Sequence, residues 1–470
     1  MNTFFRRFVI EKQHAMRVHF IAIGGSAMHN LAIALHQKGY IVSGSDDEIF
    51  EPSRTRLGNL GLLPETEGWD TNRITAELDA VIVGMHAKKD NPELEAAHRL
   101  GLKIYSYPEF LYEASKDKFR VVIGGSHGKT TITSMVMHIA KNAGIDIDYM
   151  VGAKIEGFDV MVKLTDEAPF MIFEGDEYLT SPIDPRPKFH LYHPHIALLS
   201  GIAWDHMNVF PTFDDYVIQF NTFYHLIETG GTFIYFEEDK ELRRIAANQR
   251  SGIQHVPYSV PNYQTKNGRT TALLDGIDIP LTIFGKHNLA NLNGAWEVCK
   301  RLGIGINEFA SAMRTFKGAA NRLECVFNAD DLVVYRDFAH SPSKVKATVT
   351  AVREQYPNRK VVAIFELHTF SSLSKAFLPE YMGALNAADQ AVVFYSPHAL
   401  ELKRLPALEV EDIFKGFGKD NLKVISNRVD LVEWLQEQDW ANSALLLMSS
   451  GSFEGISPAQ FVGIITQDKN

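Results

Sequence analysis

The chain has only two cysteines in 470 residues, Cys299 and Cys325, too few for a disulfide framework. Disulfide-stapled scaffolds are excluded, and a reducing cytoplasm is the simple setting for such a chain. Long apolar runs are missing as well: no stretch approaches the roughly 18 residues that a membrane span needs. Residues 1–15 hold two arginines but no extended apolar core and no small-residue cleavage site, so they read as a short arm rather than a signal peptide. A basic surplus is also absent. Lys and Arg total 47 against 57 Asp and Glu, for a net charge of −10. With no surplus cations to neutralise a phosphate backbone, nucleic acid is excluded as the main partner. A small anionic substrate needs only a local cluster of cations and stays open. Hydrophobic residues at 45% and charged residues at 22% are ordinary for a globular chain. Its length exceeds a single core and implies roughly two to four domains.

The most informative stretch runs from Val121 to Thr131, Val-Val-Ile-Gly-Gly-Ser-His-Gly-Lys-Thr-Thr. An apolar run predicts a strand, the glycines a loop, and the apolar spacing from Ile132 to Ala140 a helix. Strand, glycine loop and helix in this order make a phosphate cradle, with backbone N–H groups and the helix N-terminus facing the anion. Gly125, Ser126, His127, Gly128, Lys129, Thr130 and Thr131 are the candidate nucleotide-binding residues. Lys129 is expected on the β and γ phosphates and the Thr130 hydroxyl on Mg²⁺. Ile123 stands where the generic motif has its first glycine, so the spacing is a variant of that motif. A plain glycine-rich turn would not call for the flanking strand and helix.

Before this loop, Arg17–Ile23 reads as a buried strand, Gly24-Gly25-Ser26-Ala27-Met28 as a tight turn, His29–Lys38 as a helix ended by Gly39, and Tyr40–Val42 as a second strand. Ser43-Gly-Ser45-Asp46 then places an acid about 20 residues after the glycines, as in dinucleotide-binding βαβ units. Ala27 replaces the third glycine, so a structural turn explains the pattern as well as a ligand loop does. NAD and UDP both fit such a half-site. Further strands are expected at Ala80–Gly84 and Lys103–Tyr105.

After the loop, Pro169–Phe173 reads as a strand ending at Glu174, followed by Gly175-Asp176-Glu177. An acid at the carboxyl end of a strand in the phosphate-loop sheet is where a Mg²⁺ ligand belongs, although an exposed acidic turn gives the same pattern. His195–Ser200 is a further strand, leading to Asp205 and His206. His190, His193 and His195 have no usual zinc spacing and read as loop and strand-edge residues. Gly285-Lys-His287-Asn288-Leu-Ala-Asn291 opens a helix, with Asn288 and Asn291 on one face. They can bond a base or ribose, or cap the helix start.

The last third alternates. Strands are expected after Arg322 and over Asp331–Arg336, the latter leading into Asp337-Phe-Ala-His340-Ser341. A helix over Ser343–Gln355 follows, then a strand over Lys360–Glu366, a helix over Ser374–Asn386, and strands over Gln390–Tyr395 and Ala444–Met448. This predicts a small parallel sheet with helices on both faces. The expected organisation is α/β in three parts: residues 16–116, 117–318 and 319–470.

Taken together, Gly124–Thr131, Glu174-Gly-Asp-Glu177, Asp205-His206-Met207, His287-Asn288 with Asn291, Arg322 and Asp337-Phe-Ala-His340 resemble the ordered motifs of the Mur ligases, from about Met16 to the end of the chain. Ile23–Met28 and Ser43–Asp46 are similar to the branch that uses UDP-N-acetylmuramate. The resemblance implies a Rossmann-like UDP-sugar domain, a central P-loop ATPase-type domain and a C-terminal Rossmann-like domain. It implies an ATP- and Mg²⁺-dependent carbon–nitrogen ligase of peptidoglycan synthesis or recycling, working in the cytoplasm on small molecules. In that chemistry the lactyl carboxylate attacks the γ-phosphate, and an amine displaces phosphate from the acyl phosphate. The residues implied as catalytic are Lys129, Glu174, His206 and His340. The metal ligands implied are Thr130, Glu174 and His206, and the nucleotide contacts Asn288, Asn291, Arg322 and Asp337. UDP-sugar contacts fall to Gly24, Gly25, Ser26, Ala27, Met28, Ser45 and Asp46. Glu174 and His206 lie 32 positions apart with Asp-Glu-Tyr178 between them. This, with Ser341 and His368, resembles ligases of a preformed L-alanyl-γ-D-glutamyl-meso-diaminopimelate tripeptide more than ligases of free L-alanine. A dinucleotide-dependent oxidoreductase built on the first βαβ unit would leave the Lys129 loop unexplained.

Overall fold

The computed structural model describes residues 15–85, 87–155, 157–181, 184–204, 209–266, 268–319 and 322–466. The chain forms two compact units. One comprises the residues up to Asp117 with 160–167 and 179–192; the other holds 118–159, 168–178 and the chain from His193 onward. Two short pieces of the expected central domain therefore belong to the first unit.

In the first unit a parallel sheet runs in the order Ile41–Ser45, Arg17–Ile21, Ala80–Val83, Ile104–Ser106. Val18, Phe20, Ile21, Val81 and Ile82 are fully buried, as in a sheet covered on both faces, and His19 between them is buried with them. The chain starts in a central strand, pairs to one side, then crosses to the other. The crevice between Arg17–Ile21 and Ala80–Val83 is thus a topological switch point, where doubly wound sheets bind ligands. The Gly24–Met28 turn leaves from it. The helix that follows, Ser26–Gln37, starts earlier than its apolar spacing suggested.

In the second unit, parallel strands run in the order Gln254–Tyr258, Thr232–Phe236, Ile196–Leu199, Phe119–Gly124, Phe170–Glu174, Ile147–Met150. The register pairs Ile123 with Glu174 and Gly124 with Leu199, so three strands end together at the glycine loop. A three-stranded antiparallel sheet, Asn262–Lys266, Arg269–Leu274 and Ile277–Leu281, was not expected.

The C-terminal sheet runs Glu324–Asn328, Leu332–Asp337, Ser443–Met448, Lys360–Leu367, Gln390–Tyr395, Leu422–Ile425. It is parallel except for Glu324–Asn328, an antiparallel edge that corrects the all-parallel expectation. Helix Pro342–Gln355 packs Val345, Val349 and Val352 on one face, and helices Arg428–Glu437 and Pro458–Thr466 pack Leu431, Leu435 and Phe461 on the other. The expected helix over 374–386 is only a 3₁₀ turn at Leu378–Tyr381. Pro379 supplies no amide hydrogen, and Gly383 turns away at φ 72°. No helix among the described residues is long and apolar enough to cross a membrane.

Candidate active site

Val121, Val122 and Ile123 are fully buried in the middle of the sheet and fix where the chain emerges. It leaves the strand through Gly125 at φ 122° and enters helix Lys129–Asn142 through Gly128 at φ 81°. Both values favour glycine. A Cβ at Gly125 would strike the Ser200 hydroxyl, and one at Gly128 the Asn291 amide. The loop is therefore glycine-rich for two reasons: backbone angle, and close approach by Ser200 and Asn291. The helix N-terminus has no side-chain cap and no acid in its first turn, which leaves amides directed at the space in front of it.

Around that space the second unit forms a cleft lined by Ser126, His127, Gly128, Lys129, Thr130, Thr131, Glu174, His287, Asn288, Asn291, Arg322 and Asp337, with Lys344, Ala347 and Thr348. The Thr130 hydroxyl donates to Glu174 Oε1 at 2.6 Å, and the Gly152 amide donates to Glu174 Oε2 at 2.8 Å. Lys129 Nζ donates to Glu177 Oε2 at 2.5 Å. Burial alone would lower the lysine's pKa, but the carboxylates of Glu177, Asp176 and Glu174 outweigh it and hold the ammonium above the usual value. His287 is pushed down to about 4 by burial and is a neutral imidazole. The Asn288 amide donates to the Phe284 carbonyl at 3.0 Å, so its NH₂ serves the helix start, while Asn291 abuts Gly128.

Arg322 stacks its guanidinium 4.8 Å from the Phe338 ring centre. Asp337 accepts from the Leu323 amide at 2.6 Å and the Ala339 amide at 2.7 Å. Burial raises its pKa, opposed by Arg322 and these amides. The carboxylate thus pins the chain just after Arg322. The His127 ring meets the Ser343 hydroxyl at 2.6 Å, joining the glycine loop to helix Pro342–Gln355. His340 stands just before that helix with Nδ1 2.9 Å from the Phe338 carbonyl, and is not among the cleft-lining residues. His206 lies outside the described residues. His195 accepts from the Arg120 amide at 3.0 Å, and His190 stacks on Phe189.

In the first unit, Asp46 is fully buried and accepts from the Gly24 amide at 2.7 Å, clamping the glycine turn. Burial pushes its pKa up to about 6. The buried Ser45 hydroxyl donates to Glu93, which also faces His19, so it turns inward. The Gly25–Ser26 helix start has no side-chain cap and no acid in its first turn.

Sequence reasoning missed Lys344, Thr348 and Ala347, and gave no role to His287 or Glu177. Lys344 had a signal: a cation in the first turn of a helix whose start carries His340 and Ser341.

The Mur ligase family, catalytic domain, matches residues 17–119; the Mur ligase middle domain matches 123–299; the Mur ligase, glutamate ligase domain, matches 321–451. UDP-N-acetylmuramate–L-alanine ligase of Streptococcus sanguinis is 30% identical over 451 residues, covering 93% of this chain and 95% of its own length. The solved UDP-N-acetylmuramate:L-alanyl-γ-D-glutamyl-meso-diaminopimelate ligase of Neisseria meningitides is 26% identical, with a TM-score of 0.58 over 65% of this chain and 99% of that one. The solved UDP-N-acetylmuramate–alanine ligase of Thermotoga maritima superposes with a TM-score of 0.66 at 20% identity, over 96% of this chain and 98% of that one.

Proposed function

The chain belongs to the Mur ligase family and is an ATP-dependent carbon–nitrogen ligase, and from that premise we propose that it joins the lactyl carboxylate of UDP-N-acetylmuramate to the amine of L-alanine. The observation that carries the reading is the convergence of Lys129, Glu174, Asn291, Arg322 and Asp337 on one cleft in front of an uncapped helix N-terminus. The 30% identity to UDP-N-acetylmuramate–L-alanine ligases favours alanine over the tripeptide that the Glu174–His206 stretch suggested. The tripeptide remains the second reading, supported by that stretch and by the 26% identity to the Neisseria enzyme.

Condensing a carboxylate with an amine in water requires activation, and the activating step brings anionic groups together. In this reading Lys129 and the loop amides stabilise charge on the transferring γ-phosphoryl group. Arg322 and Asp337 meet the nucleotide from the third domain, and Lys344 adds a second cation. Asn288 and Asn291 shape the nucleotide face, Gly125, Ser126, His127, Gly128 and Thr131 form the cradle, and His340 attends the amine. The Thr130 hydroxyl and the Glu174 carboxylate offer hard oxygen donors side by side, a set that suits Mg²⁺. When bound there, Mg²⁺ neutralises phosphate charge. His206 is proposed as a further metal ligand. Gly24, Gly25, Ser26, Ala27, Met28, Ser45 and Asp46 are assigned to the UDP-sugar turn, with Ser45 and Asp46 acting from beneath it. The three-domain division at 16–116, 117–318 and 319–470 and a cytoplasmic site of action belong to the same proposal. An ADP-release assay tests it: release is expected only when UDP-N-acetylmuramate and an amine are both supplied. Tight NAD binding without ATP consumption would overturn the reading.

A further inference from the structure

The P-loop lysine is engaged by a carboxylate of its own chain. Lys129 Nζ donates to Glu177 Oε2 at 2.5 Å; the lysine side chain is 16% exposed and that of Glu177 1%. Glu177 is itself held. The Tyr216 hydroxyl, fully buried on helix Phe213–His225, donates to Glu177 Oε1 at 2.9 Å. A carboxylate can only accept, so Tyr216 in turn accepts from the Ser126 hydroxyl, also at 2.9 Å. Ser126 Oγ accepts from the Ala203 amide at 2.9 Å. One directional chain thus runs from Ala203 through Ser126 and Tyr216 to Glu177, where it meets the donation from Lys129 on the other carboxylate oxygen. It ties the segment after strand Ile196–Leu199 to the glycine loop at Ser126 and to Lys129 at the helix start. The turn that carries Glu177 is pinned as well. The Gly175 amide donates to the Ile123 carbonyl at 2.8 Å, and a Cβ at Gly175 would lie 2.9 Å from Val122 Cγ1. That close approach brings Glu177 under the lysine.

We propose that Glu177, held by Tyr216, is a positioning residue that orients Lys129 for phosphoryl transfer. An ammonium has three donors. One spent on a fixed carboxylate sets the direction of the other two, which face the cleft and take phosphate oxygens. A free lysine on a four-carbon stem would have to be ordered during each turnover.

The inference rests on the ligase reading, and the test separates the two. Turnover and ADP release are measured for Lys129→Ala, Glu177→Gln, Tyr216→Phe and the Lys129→Ala/Glu177→Gln double variant, with a thermal melt for each. Glu177→Gln is expected to lower kcat at least tenfold, and Tyr216→Phe about threefold to tenfold. KM for UDP-N-acetylmuramate should stay within twofold in both. The double variant should be no slower than Lys129→Ala alone, because Glu177 acts only through the lysine; a merely structural glutamate would multiply the two losses. Glu177→Gln turning over within threefold of the parent, or multiplicative losses, overturns the inference and leaves the ligase standing. If Glu177→Gln does not fold, Tyr216→Phe decides: parental kcat sinks the inference. A fully active Lys129→Ala variant would instead remove Lys129 from the reaction.

Discussion

At Lys129 a positive charge sits largely out of solvent beside a buried carboxylate, at the start of a helix aimed into the cleft. In the proposed reaction, removing it takes away a contact expected to strengthen as the γ-phosphoryl group moves. Lys129→Ala is therefore expected to lower kcat about a thousandfold, or ~4 kcal/mol of transition-state stabilisation, with UDP-N-acetylmuramate binding retained. Turnover within tenfold of the parent in a coupled assay would remove the lysine from the reaction. The same change leaves Glu177 without that cation, so melting temperature should fall and should partly recover in the double variant with Glu177→Gln. At Glu174, whose oxygens meet the Thr130 hydroxyl and the Gly152 amide, Glu174→Ala is expected to raise the Mg²⁺ concentration needed for half-maximal activity at least tenfold. An unchanged Mg²⁺ titration would make Glu174 structural. Asp46 supplies a pH test. Its folded pKa, near 6, lies above that of a free aspartate, so between about pH 4 and 6 the folded state holds more protons than the unfolded one. Stability from this group therefore declines as pH rises through that window and stays lowered above it. Melts of Asp46→Asn against the parent should show the variant gaining relative stability from pH 4.5 to 6.5; parallel curves would refute the shift. At this scale the sequence was legible where a residue type has few uses, as for the Lys129–Thr130 pair. It was opaque where direction decides. Nothing in the spacing shows that the Ser45 hydroxyl points inward to Glu93, or that Glu177 rather than Asp176 reaches the lysine.

The strand–loop–helix of residues 119–142 shows how element and site depend on one another. Gly128 combines φ 81° with a Cβ position already taken by the Asn291 amide. Gly128→Ala therefore strains the backbone and pushes helix Lys286–Arg301 away from the loop. The expected outcome is at least tenfold weaker ADP binding by calorimetry, with a lowered melting temperature; unchanged affinity would show that the loop tolerates a side chain there. The elements most legible in sequence were strands buried on both faces, such as Val121–Ile123 and Val361–Phe365, because burial leaves an uninterrupted apolar run. The antiparallel sheet of 262–281 escaped because Asn262–Lys266 is polar and largely exposed, while the other two short strands bury only alternate residues and so show no continuous apolar run. Its signal was the Asp275-Gly276 pair, which sits at φ 44° and 81° as a tight hairpin turn requires. The helix expected over 374–386 failed for the opposite reason: its apolar residues do pack on the core, as Phe377, Leu378, Tyr381, Ala384 and Leu385, but from irregular chain around Pro379 and Gly383.

For the whole molecule, motif order from Gly24 to Asp337 suffices for the family: the Gly24, Asp46, Gly125, Glu174 and Asp337 motifs fall at strand ends, and the Asn288–Asn291 pair opens a helix. The identity of the amine does not follow from motif order, since pocket size is set by side chains from separate elements. Two lines of argument compete. The separation of Glu174 from His206, with Ser341 and His368, resembles tripeptide ligases, while the 30% identity over 451 residues to UDP-N-acetylmuramate–L-alanine ligases supports the single amino acid. Discrimination between the amines depends on kcat/KM ratios. A pocket built for a tripeptide has polar groups that alanine leaves unpaired, whereas a pocket closed around alanine excludes the longer chain. Either architecture should prefer its own substrate by tenfold or more. With ATP, Mg²⁺, UDP-N-acetylmuramate and equal concentrations of L-alanine and tripeptide, mass spectrometry is expected to find UDP-N-acetylmuramoyl-L-alanine in at least tenfold excess. Predominant UDP-N-acetylmuramoyl-tripeptide would reverse the substrate assignment and restore the reading of the Glu174–His206 stretch, while ADP release in both cases would leave the ligase chemistry intact.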